Sequence, residues 1–111
     1  MEITIQRLKR VDIVKPIGRV DSATAPQLAE TIRGLVDEKR CRVVLDMSEL
    51  GYLSSAGLRV LVEAQRTCRR WNRGNLVLAM PSDPIRRTLD LAGFLVLFEV
   101  YDSLVEAAGS I

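Results

Sequence analysis

The residues best able to do chemistry lie in one stretch, Leu45-Asp46-Met47-Ser48-Glu49-Leu50-Gly51-Tyr52-Leu53-Ser54-Ser55-Ala56-Gly57-Leu58-Arg59. It reads as the end of a strand, a short turn, and a helix that starts on small hydroxyl residues near Ser54 or Ser55. The first amides of a helix have no intrahelical partner and carry a positive partial charge. An anion is stabilised there, including a phosphate attached to a serine. Ala56 and Gly57 leave the backbone around Ser55 uncrowded, so another protein can approach it. The same serines also suit ordinary helix capping, and both roles can hold at once.

Other chemistry is thinly supplied. The 111-residue chain contains no histidine. That removes the commonest general base, the Ser-His and Cys-His nucleophile pairs, and most zinc sites. Cys41 and Cys68 form neither a C-x-x-C pair nor a metal-ligand spacing. Free buried thiols in a reducing compartment are expected, with a single disulfide as the alternative. No glycine-rich phosphate loop is present, so no nucleotide site, cofactor or metal is expected. The run Arg66, Arg69-Arg70-Trp71-Asn72-Arg73 offers a basic patch with a stacking platform. It reads instead as the solvated end of a helix, where arginines favour the C-terminal dipole and Trp71 packs at the core edge. A net charge of +2 is too small to imply a DNA or membrane partner. No apolar run approaches a membrane span, and Met1-Glu2-Ile3-Thr4-Ile5 lacks a signal-peptide layout. The expected setting is the cytoplasm and the expected role is not that of an enzyme.

The elements that must position the serine stretch are legible in the periodicity. Met1 to Leu8 alternates as a half-buried strand, and Val11 to Val20 reads as a second, joined through Lys9-Arg10. Pro16 suggests that the second lies at an edge or carries a bulge. Thr24 with Gln27 suggests a capping box opening a helix whose buried face is Leu28, Ile32, Leu35 and Val36. Val43-Val44-Leu45 suits a central strand covered on both faces. The next helix runs from the serines to about Asn72, with Gly57, Leu58, Leu61, Ala64, Cys68 and Trp71 inward. Arg59, Glu63, Arg66 and Arg70 face water. Leu76 to Met80 is another buried strand. Ser82 caps a short helix that Gly93 stops. Leu95 to Val100 reads as a last strand, and Ser103 opens a C-terminal helix through a second capping-box pattern. Alternating helix and strand implies mainly parallel pairing after an opening β-hairpin. The fold class is α/β, with one domain over residues 1–111 and a mixed, mainly parallel sheet with packed helices.

This pattern resembles the STAS domain, the family of the anti-sigma-factor antagonists. The resemblance rests on Asp46-Met47-Ser48 ending a strand, then Tyr52-Leu53, then Ser54-Ser55-Ala56-Gly57-Leu58. Gly18-Arg19-Val20-Asp21 resembles the family's turn after the second strand, and the order of elements fits essentially the whole chain. The resemblance implies a domain that binds an anti-sigma factor with serine kinase activity. The kinase then phosphorylates a serine at the start of the central helix, and a serine phosphatase resets the switch. Aligned on Gly57-Leu58, the acceptor falls on Ser55. Members with a well-understood switch carry an acidic residue just before the acceptor. Here that residue is Ser54, which keeps Ser54 as an alternative acceptor. The partner-binding surface is expected to comprise Asp21, Tyr52, Ser54, Ser55, Ala56, Gly57 and Arg59. A STAS scaffold or transport-accessory domain without a phospho-switch is the alternative role. Asp46 is placed like the acceptor aspartate of receiver domains, but the acidic pair and the lysine such a site needs are absent. Asp46 and Asp21 are therefore expected to be architectural or partner-facing.

Overall fold

The computed structural model describes residues 1–70 and 74–111, with Leu95 described through its backbone alone. Among these, the chain runs β1 (Glu2–Arg7), β2 (Asp12–Val20), α1 (Ala25–Asp37), β3 (Arg42–Asp46) and β4 (Leu50–Leu53). It continues α2 (Ser55–Arg70), β5 (Asn75–Ala79), α3 (Asp83–Leu91), β6 (Val100–Tyr101) and α4 (Leu104–Gly109). One mixed sheet has the order β1-β2-β3-β5-β6, with β4 paired to β2. Among the described residues the β1–β2 hairpin is the antiparallel pair, and the other pairs are parallel. The expected α/β architecture is the one observed.

Alternation in the central strands divides the core between the two faces of the sheet. Val43 and Leu45 of β3, with Leu76 and Leu78 of β5, pack among Leu28, Ile32 and Leu35 of α1 and Leu58 and Leu61 of α2. Val44 and Val77 point the other way, toward Ala107 of α4. Each such fully buried side chain contributes roughly 1.5–3 kcal/mol of transfer free energy. The hairpin is tied down at its far end. Arg40 donates from Nε to Asp12 Oδ2 at 2.6 Å and from Nη2 to Oδ1 at 2.7 Å. Asp12 is buried, so this paired, bidentate geometry is what keeps its charge tolerable.

Several expectations need correction. Of the two readings of Pro16, the edge is not observed, since β2 lies inside the sheet with Pro16 between its β3 ladder (Asp12–Val14) and its β4 ladder (Gly18–Val20), while the irregularity of β2 falls at Gly18 and Arg19. The connection after Asp46 contains a strand, β4, whose partner is distant in sequence. The apolar run from Leu95 is not a strand; Phe94–Val96 forms a 3-10 turn and only Val100–Tyr101 pairs. The capping box at Thr24 does not form. Its hydroxyl donates instead to the Arg19 carbonyl at 2.8 Å, and Gln27 donates to the Met1 carbonyl at 3.2 Å. Helix α2 is described to Arg70, and the placements expected for Trp71, Asn72 and Arg73 lie outside the described residues.

One polar residue sits on the buried face of α2. Gln65 accepts from the Leu76 amide at 2.8 Å and donates to the carbonyls of Leu76 and Leu97, each at 3.2 Å. Pairing of β5 with β6 begins only at Leu78, so Gln65 supplies the partner that Leu76 would otherwise lack.

Candidate functional site

The start of α2 is set by close packing beneath it. A Cβ at Gly57 would lie 2.6 Å from both Leu53 Cδ1 and Val20 Cγ1, so any larger residue must displace them. Gly57 is thus buried and serves packing, as its place in the inward stripe of the helix implied. Its absent side chain lets the first turn of α2 settle onto the ends of β2 and β4. Those ends are joined by the Ser54 amide, which donates to the Val20 carbonyl at 2.8 Å.

Ser54 and Ser55 then divide two tasks. Ser54 is half-buried and accepts from the Gly57 amide at 3.3 Å through Oγ, while its carbonyl accepts from Leu58 at 3.0 Å. That is the geometry of an N-cap. Ser55 is the first helical residue and is exposed. The first turn of α2 carries no acidic side chain, so nothing there offsets the positive end of the helix dipole. Arg59, four residues on, is exposed one turn away from Ser55. Ala56 is half-buried beside them.

Tyr52 lies on β4, and Asp21 begins the turn that follows β2. Tyr52 pairs with Arg19 across β4 and β2, and the Arg19 guanidinium lies 4.4 Å from the Tyr52 ring centroid. Such a contact orients the ring while leaving it accessible, and Tyr52 is 42% exposed. Nothing in the sequence spacing singled out Arg19 as the partner of Tyr52, because the register of β4 on β2 creates the pair. Gly18 makes that register possible. Its φ of 108° is one that side-chain-bearing residues rarely adopt, and the ladder shifts between Gly18 and Arg19.

Asp21 is spent on its own turn. One carboxylate oxygen accepts from the amides of Ala23 at 3.0 Å and Thr24 at 3.1 Å. The Thr24 amide holds its pKa below the usual carboxylate value against an opposing desolvation effect, and the Ala23 amide adds to the lowering. Asp46 is buried, and its Oδ1 accepts from the Ser48 amide at 3.0 Å, closing the turn that leads to β4. Lys15 reaches Glu49 at 2.5 Å, and that hydrogen bond raises its pKa. Both thiols are free and buried. Burial, then a hydrogen bond with Cys41, pushes Cys68 up to about 12, which leaves it a poor nucleophile.

The structure therefore brings Tyr52, Ser55, Ala56 and Arg59 to the exterior around one helix start. It withdraws Gly57 into the packing and commits Ser54 and Asp21 to backbone amides. Behind Ser55 a trough between α1 and α2 is lined in part by Arg33, Ala56, Arg59 and Val60. Sequence reasoning missed it, because it depends on how the two helices lie side by side. Among the described residues, no helix is long and apolar enough to cross a membrane.

Comparison with known proteins places this arrangement. The chain is 36% identical over 110 residues to BtrV of Bordetella bronchiseptica, a provisionally named anti-sigma factor antagonist. That match covers 99% of this chain and 94% of the relative. A Thermotoga maritima protein, also provisionally named an anti-sigma factor antagonist, superimposes with a TM-score of 0.92 at 18% identity. It covers 98% of this chain and 93% of its own. The Bacillus cell fate determinant SpoIIAA, solved in its phosphorylated form, gives a TM-score of 0.76 at 14% identity and covers 98% of each chain. The STAS domain model itself matches residues 2–107, and the chain belongs to the STAS domain family.

Proposed function

We propose that this chain is an anti-sigma factor antagonist: a partner-binding domain, not an enzyme, acting in bacterial transcription control. Its partner is an anti-sigma factor with serine kinase activity, which releases it by phosphorylating Ser55. A serine phosphatase restores binding. The STAS domain of residues 1–111 acts in the cytoplasm and uses no cofactor.

The observation that carries this reading is the split between the two serines. Ser54 holds the helix cap through its hydroxyl, whereas Ser55 stands exposed at the uncompensated end of α2. A phosphate on Ser55 adds about −1.5 to −2 charges where free amides and the dipole stabilise it. The domain tolerates that charge, but a partner surface built against a neutral hydroxyl does not. The names of the relatives and the phosphorylated SpoIIAA structure support the same assignment.

A scaffold or transport-accessory role is the rival, favoured by Ser54 standing where switch-type members carry an acid. The two separate in one assay. The purified chain is incubated with a kinase-type anti-sigma factor of the same organism and ATP, and phosphopeptides are mapped. The expected result is phosphate on Ser55, and none on Ser55→Ala protein. Phosphate on Ser54 instead moves the acceptor, and an unmodified chain bound to a non-kinase partner establishes the scaffold role.

A further inference from the structure

The trough behind Ser55 runs between α1 and α2 and encloses about 520 Å³. Its lining extends from Ala25 to Val36 on one wall and from Ala56 to Thr67 on the other. At ~1.5 Å of rise per residue, each wall is roughly 16 Å long. The floor is apolar and only half-covered: Ala29, Val36, Ala56, Val60 and Ala64 are all of intermediate exposure. Small side chains on both walls allow a third element to approach closely.

Cations outnumber carboxylates on the rim. Arg33 stands on the α1 wall and Arg59 on the α2 wall, both exposed. Among the described residues neither forms an ion pair. The carboxylate on the same rim, Glu63, lies 3.3 Å from Arg66. The trough thus offers an apolar seat between unpaired cations on opposite walls.

The shape also selects the secondary structure of an occupant. Both walls are helices, whose backbone groups are bonded internally, so an extended peptide finds no ladder to join. An amphipathic helix of about three turns matches the length, with apolar side chains at i, i+3, i+4 and i+7 toward the floor. Complementarity to Arg33 and Arg59 requires acidic residues along both flanks.

We infer that the α1–α2 trough seats an acidic-flanked amphipathic helix of the anti-sigma partner. This rests on the proposed function and extends it, because it explains how one phosphate acts on a whole interface. Arg59 lies one turn from Ser55 and at the mouth of the trough. A phosphate on Ser55 takes up Arg59 and sets a negative charge beside the acidic flank, so one event removes an attraction and adds a repulsion.

The test uses the unphosphorylated full chain and the kinase-type anti-sigma factor that modifies it, in calorimetric titration. Arg33 is remote from Ser55 in sequence and sits on the other helix, so it isolates the trough. Arg33→Glu and Val60→Ser should each weaken binding about tenfold or more, with melting temperatures close to wild type. Arg33→Gln should fall between wild type and Arg33→Glu. Wild-type affinity for both Arg33→Glu and Val60→Ser, with binding still lost on phosphorylation at Ser55, overturns the trough and leaves the proposed function standing. Failure of the wild-type chain to bind any kinase-type anti-sigma factor overturns both. Loss of self-association in the same variants, with partner affinity unchanged, assigns the trough to a second copy of the chain and also overturns the inference.

Discussion

Three helices of this domain open on a serine whose hydroxyl accepts from an amide three residues on, yet their first turns differ in charge. Ser82 accepts from Ile85 at 3.4 Å and Ser103 from Glu106 at 3.1 Å, as Ser54 does from Gly57 at 3.3 Å. The first turn of α3 carries Asp83 and that of α4 carries Glu106, each an acid facing its dipole. The first turn of α2 carries none and presents Ser55 in that place. The first two are finished structural ends. The third carries no acid of its own, and it packs against the ends of two strands through a glycine whose enlargement would displace Val20 and Leu53.

The largest effect expected from this contrast is steric. Gly57→Ala puts a methyl group 2.6 Å from two core side chains, so it should destabilise by about 1–3 kcal/mol, the usual cost of overpacking. Chemical denaturation measures it. A neutral Gly57→Ala would mean that α2 does not rest on Val20 and Leu53 as described. Next come the caps. Ser54→Ala and Ser82→Ala should each cost about 1 kcal/mol, while Ser55→Ala, whose hydroxyl caps nothing, should cost no more than a few tenths. Equal losses at Ser54 and Ser55 would erase the division of tasks between them. The smallest effect is electrostatic. Ser55→Asp should raise stability by about 0.3–1 kcal/mol at low ionic strength and lose that gain in salt. The same acid added to the first turn of α3, which already holds Asp83, should gain less.

Much of this contrast could be read in the sequence, and the unread part has a common cause. The strand Val43-Val44-Leu45 and the cap at Ser103 depend on neighbours along the chain, and both stand as expected. The features that were misread depend on register or on distant partners. Leu50–Leu53 is four residues long and holds a glycine, and only its pairing with Gly18–Val20 makes it a strand. Leu95 to Val100 has the composition of a buried strand, but Val96 is 89% exposed on a 3-10 turn. Gln65, which drew no expectation, is buried on α2 because its partner lies eleven residues on, at Leu76. At the site itself the residue types alone did not separate two adjacent serines, and only the family resemblance put Ser55 ahead of Ser54. Their roles separate only in three dimensions, where the helix axis turns one hydroxyl inward to Gly57 and leaves the other outside.

The central claim is that charge at Ser55, and not a change of fold, controls partner binding. It is tested most directly by calorimetric titration of the kinase-type anti-sigma factor with wild-type, Ser55→Ala and Ser55-phosphorylated chain, each checked for an unchanged melting temperature. Wild type and Ser55→Ala should bind alike. The phosphorylated form should bind at least about a hundredfold more weakly, which corresponds to roughly 2.8 kcal/mol of lost complementarity. Equal affinities for all three forms would contradict the account.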